Sequence, residues 1–165
     1  MQAGSRHTCL LAVVVLGLVV VLAGTTLAQS SNPTNIGTWK LNVAKSTATT
    51  GAGSKSVTFT VVAADAGVKV TVDSVAADDT VQHWEFSGNY DGKDNPITGN
   101  SPYGDVVAST RVDANTTRSI YKKGGTVTVT QTAVVSSDGK TTTITGAGTD
   151  ALGQTVNTVR VYDKQ

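Results

Sequence analysis

From Ser56 to Tyr162 the chain keeps returning to one pattern: a short run in which apolar and polar residues alternate, and then a turn. Ser56 to Val62 sets Val57, Phe59 and Val61 against Ser56, Thr58 and Thr60, and Val68 to Val72 sets its valines against Lys69 and Thr71. Successive side chains of a strand point to opposite faces, so a period of two marks a half-buried strand. Asp91-Gly92, Asp113-Ala114-Asn115, Lys123-Gly124-Gly125 and Asp138-Gly139 punctuate the runs. Glycine tolerates positive φ in tight hairpins, and Asp and Asn bond their own backbone there. Thr and Val are abundant, and β-branched side chains favour the pleated surface.

The fold class that follows is all-β. We expect about ten short strands in an antiparallel up-and-down barrel, with a β-sandwich as the alternative. Short connections favour the barrel, and closure removes exposed edges. The expected strands begin with Gly37 to Leu41 and end with Thr155 to Tyr162, and Val81 to Tyr90 is the most aromatic. Asp91-Gly92 is read as a hairpin, and Lys45 to Lys55 and Asn95 to Gly104 as loops.

The N-terminus obeys other rules. Arg6 and His7 precede an apolar run, Leu10 to Leu22, and then small residues ending Thr26-Leu27-Ala28. That order is a secretory signal peptide, and the run is shorter than the roughly 20 residues of a spanning helix. Residues 1–28 are therefore expected to be a signal peptide, 29–35 a flexible lead-in and 36–165 one β-barrel domain, exported to the periplasm or secreted. The single cysteine, Cys9, leaves with the peptide, so the domain must be held without disulfides. The chain has 13 basic and 12 acidic residues, scattered along it. No basic stripe offers itself to phosphates, which argues against nucleic acid as a partner.

Side-chain chemistry is sparse. No Gly-x-Ser-x-Gly elbow occurs, and His83 is the one histidine beyond the leader, so neither a nucleophile-base set nor a metal site is expected. On the strand from Val81 to Tyr90, His83 and Glu85 share one face while Gln82, Trp84, Phe86 and Tyr90 share the other. The aromatic face either lines a cavity for an apolar ligand or is ordinary core. Arg160 and Tyr162, two apart, share a face of the last strand. Turned inward, they present a planar cation and a phenol to an anionic group; otherwise Arg160 covers Trp39 as a cation on an indole.

The two ends carry a resemblance. Gly37-Thr38-Trp39, followed by Lys40-Leu41, and Arg160-Val161-Tyr162 near the C-terminus resemble the bookends of the calycin superfamily, the lipocalins and fatty-acid-binding proteins. Tyr90-Asp91-Gly92-Lys93-Asp94 and Asp138-Gly139-Lys140 are similar to segments of small secreted bacterial proteins. In lipocalins an arginine of the final strand packs over the tryptophan of Gly-x-Trp, which would give Gly37 and Trp39 structural roles here. In fatty-acid-binding proteins Arg-x-Tyr holds a fatty-acid carboxylate, and their second arginine would fall at Gln131. The lid helices of that family do not fit in Asn42 to Ser54, and the C-terminal helix of lipocalins is absent.

Together these readings lead us to expect a non-enzymatic exported barrel, without cofactor, that binds an apolar or amphipathic small molecule inside. Arg160, Tyr162 and Gln131 are its polar contacts, and Trp84, Phe86 and Tyr121 its apolar ones. The alternative is a structural or interaction module of the bacterial cell envelope, with Thr126, Thr128, Thr130 and Thr132 on an exposed face.

Overall fold

A computed structural model describes residues 34–48, 53–64 and 67–165. The expected signal peptide, residues 29–33 of the lead-in, residues 49–52 of the first expected loop and residues 65–66 of the turn before Val68 lie outside the described residues.

The protein is an all-antiparallel, nearly closed barrel of 11 strands. These are β1 (Gly37–Ala48), β2 (Ser54–Ala64), β3 (Gly67–Ala76), β4 (Val81–Gly88), β5 (Asp91–Pro96), β6 (Thr98–Gly99), β7 (Val106–Arg111), β8 (Thr116–Lys123), β9 (Thr126–Val135), β10 (Thr141–Thr149) and β11 (Thr155–Lys164). The order around the sheet is β5-β7-β8-β9-β10-β11-β1-β2-β3-β4-β6. Consecutive strands are neighbours from β1 to β4 and from β7 to β11, and the first pairs with the last, Trp39 opposite Lys164 and Leu41 opposite Tyr162. The barrel, not the sandwich, is the outcome.

Closure on the other side differs from the expectation. Asp91-Gly92 does not turn β4 back on a neighbour. Tyr90 takes a positive φ of 58°, and the chain bends so that β5 pairs with β7 while β6 pairs with β4. The segment 91–99 thus spans the gap between β4 and β7, and the count rises from about ten strands to 11. A second correction concerns length. The expected loop from Lys45 to Lys55 is strand at both ends, because β1 runs on to Ala48 and β2 starts at Ser54. Its polar residues are those of a bulge. Between Asn42 and Thr47 the register of β1 shifts against β11. There the Ser46 hydroxyl accepts from Val161 N–H at 2.9 Å and donates to the Asn42 carbonyl at 2.7 Å, replacing ladder bonds. Such bulges bend a strand and re-aim its neighbours.

The inward faces follow the period of two. Val57, Val61, Val68, Val72, Trp84, Phe86, Val107, Tyr121 and Val129 are buried, while Val81 and Val134 on the opposite faces are exposed. The hairpin at Gly124-Gly125 has both φ values positive, 54° and 81°, which is the tight turn whose twist matches the flanking strands.

Trp39 is fully buried. Its indole N–H donates to the Asn35 carbonyl at 2.9 Å, and its ring packs with Phe59 at 6.1 Å between centroids. The cation over it is Lys164, with Nζ at 5.1 Å from the ring centroid. Lys164, rather than Arg160, thus holds the place that the lipocalin resemblance gave to the arginine. Both lie on the inward-facing alternation of β11, but Lys164 is the residue opposite Trp39. Gly37 makes this fold-over feasible, since its φ is +133° and a Cβ there would meet the Lys164 side chain at 2.7 Å.

Candidate functional site

Alternation on eight strands, β2 to β4 and β7 to β11, aims a mixed set of side chains into the barrel, around a cavity of about 120 Å³. β4 contributes Gln82, Trp84 and Phe86, β8 contributes Tyr121, β9 contributes Gln131, and β11 contributes Arg160 and Tyr162. All six residues expected as ligand contacts therefore line one chamber. The two readings of the aromatic face converge, because Trp84 and Phe86 are 4% and 8% exposed and also form its wall.

The walls are ordered by aromatic packing. Trp84 meets Tyr121 edge to face with centroids 6.0 Å apart, and Tyr103 likewise at 6.3 Å. Tyr103 and Tyr121 are 5.1 Å apart, and Phe59 meets Tyr162 edge-on at 4.9 Å. Such pairs fix ring orientation beyond mere burial.

The polar part centres on Arg160. Its Nη1 donates to the Tyr103 hydroxyl at 2.7 Å, and its guanidinium also reaches Tyr162. Burial alone would pull the guanidinium down, but the adjoining Tyr103 and Tyr162 outweigh it and hold it above its ordinary value. Burial pushes the Tyr162 phenol up to about 12, against the opposing pull of Arg160. Burial raises the Tyr121 phenol as well, with Tyr103 and Tyr162 adding to the effect. At neutral pH the chamber thus holds a fixed cation facing protonated phenols. Paired polar groups complete the lining: Ser109 with Ser119 at 2.9 Å, and Ser74 with Gln82 at 3.0 Å.

His83 and Glu85 lie on the outer face. His83 Nδ1 sits 2.7 Å from Asp73 Oδ1, and Glu85 pairs with Lys69 at 2.8 Å. They do not reach the chamber.

Sequence reasoning missed Tyr103 and Asn35. Tyr103 lies in the loop 100–105, where no periodicity reports a side chain's direction. Its signal was local: a lone aromatic between Pro102 and Gly104 in a polar stretch. Asn35 was assigned to the lead-in, yet its amide donates to the Tyr90 hydroxyl at 2.7 Å, and it lines the chamber. Its Oδ1 is buried and finds no hydrogen-bond donor among the described residues.

No family model, no curated protein and no solved structure matches the chain.

Proposed function

We propose that the chain is an exported, non-catalytic barrel of calycin-like type that binds a small amphipathic molecule in its interior. Arg160 and Tyr162 hold the polar group, with Gln131 beside them, and Trp84, Phe86 and Tyr121 enclose the apolar part. The observation that carries this reading is a buried guanidinium, flanked by tyrosine hydroxyls, in the wall of an aromatic chamber. A guanidinium binds a carboxylate through two parallel hydrogen bonds, and low dielectric strengthens the attraction.

Volume limits the ligand. Small-molecule sites usually run to about 300–1,000 Å³, and an engineered cavity of about 150 Å³ in another protein takes benzene. At about 120 Å³, the chamber suits a ring or a short chain, not a long acyl tail. The calycin reading rests on the pairing of β1 with β11 and on Gly37 and Trp39.

The small volume also favours a second reading, an interaction module of the cell envelope. The expected row of Thr126, Thr128, Thr130 and Thr132 is broken by the register shift of β9 against β8, where Thr128 donates to the Tyr103 carbonyl, so the module's surface would be Thr130 and Thr132 on β9 beside Thr145 and Ala147 on β10. Native mass spectrometry of protein purified from its own host separates the two. A co-purifying small acid supports the first; repeated absence of one, with a protein or glycan enriched on the barrel, supports the second.

A further inference from the structure

Two cavities share one wall. Beyond the inner chamber lies an outer pocket of about 180 Å³, at the barrel end formed by the turns at residues 76–80, 101–103 and 150–154. Gln82, Pro102, Tyr103 and Arg160 line both spaces. The hydrogen bond from Arg160 Nη1 to the Tyr103 hydroxyl joins two residues of this shared wall.

The backbone beneath Tyr103 is fixed. Ala151 N–H donates to the Pro102 carbonyl at 2.9 Å, Asp105 N–H donates to the Lys122 carbonyl at 3.0 Å, and the Thr128 hydroxyl donates to the Tyr103 carbonyl. Gly104 has a φ of +153° and packs so close to the Lys122 carbonyl that a Cβ would collide with it. With the backbone held, an opening in the wall must come from the side-chain torsions of Tyr103 and Arg160, against the contacts of Tyr103 with Trp84 and Tyr121.

We propose that Tyr103 and Arg160 form an internal door, and that small carboxylic acids reach the inner chamber from the outer pocket by replacing the Tyr103 hydroxyl on Arg160. The bound acid straddles the wall, with its apolar end in the aromatic chamber and its carboxylate on Arg160. The two spaces then act as one site, whose combined size reaches the lower bound of roughly 300 Å³ for small-molecule pockets. The acid half of this proposal rests on the functional reading above; the door itself does not.

Iodide quenching of tryptophan fluorescence tests the door without any ligand. Trp84 is 4% exposed and packs against Tyr103, and the only other tryptophan, Trp39, is fully buried. In the full-length protein, Tyr103→Ala is expected to raise the iodide quenching constant several-fold, with caesium far less effective because Arg160 repels it. Adding Arg160→Gln should abolish the preference for iodide. Equal quenching in wild type and Tyr103→Ala, both folded by circular dichroism, overturns the door. Tyr103→Phe is the gentler variant, since it keeps the ring and removes only the hydroxyl. Hexanoate should associate faster with it than with wild type in stopped-flow fluorescence, and equal or slower association overturns the latch. If quenching opens as expected but no acid binds, the door stands and the functional reading falls.

Discussion

At the residue scale, which side chains share a face was legible, and neither the inward face nor the height along the barrel was. The alternation around Trp84 and Arg160 sorted side chains into two faces and left the direction of Arg160 open; the fold turns both residues inward. Alternation did not tell which cation of β11 meets Trp39, because Arg160 and Lys164 share a face and differ only in register. That register is set by pairing, with Trp39 opposite Lys164. Trp39→Ala should cost about 3–5 kcal/mol, as large-to-small changes of buried aromatics do. Lys164→Ala should cost only about 0.5–1 kcal/mol, the worth of a cation–π contact near solvent. Urea denaturation of the two variants checks both figures. Tyr162 predicts a pH dependence. Its phenol is raised in the fold to about 12, against about 10 in an unfolded chain. The native state therefore holds this proton where the unfolded state has lost it. The resulting stability is fully present below about pH 10 and is lost as pH rises towards 12, by about 3 kcal/mol for a shift of this size. Tyr162→Phe should flatten this alkaline decline, measured as urea midpoints across that range.

At the element scale, the strands were legible wherever alternation and a glycine turn coincide. β9 was expected at Thr126 to Val135 and is found there. The misses have local causes. β1 and β2 extend into a polar stretch because Ser46 stitches the bulge to Val161, and hydroxyl residues read as loop. At Asp91-Gly92 the turn chemistry was present, but the bend at Tyr90 sends the chain on to β7. Barrel closure depends on β11, which bonds to both β10 and β1. Removing residues 161–165 takes away the partners of Trp39, Lys40, Leu41 and Asn42. The shortened chain should lose cooperative unfolding, seen as a broad thermal transition; a sharp one like that of the full chain would mean that the β1–β11 seam is dispensable.

At the scale of the whole molecule, the bookends made closure legible, since Gly37-Thr38-Trp39 and Arg160-Val161-Tyr162 do lie on paired strands. The interior volume was not legible. It depends on how Tyr103 and Asn35 fold in from segments without periodicity, and on strand tilt, which no short pattern encodes. Closure also governs kinetics. Asn42 bonds to Asp163, 121 positions away, and long-range pairing of this kind slows folding, so refolding should take milliseconds to seconds. Stopped-flow refolding followed by Trp39 and Trp84 fluorescence measures it.

The central claim is that the aromatic chamber and the Arg160 guanidinium together take a small acid. Isothermal titration of hexanoate, hexanol and palmitate into wild type and Arg160→Gln tests it most directly. The account predicts one-to-one binding of hexanoate, at least about tenfold weaker in Arg160→Gln, with hexanol weaker than hexanoate in wild type and palmitate excluded. Hexanoate binding that ignores Arg160→Gln, or a failure of every acid to bind folded protein, would contradict it.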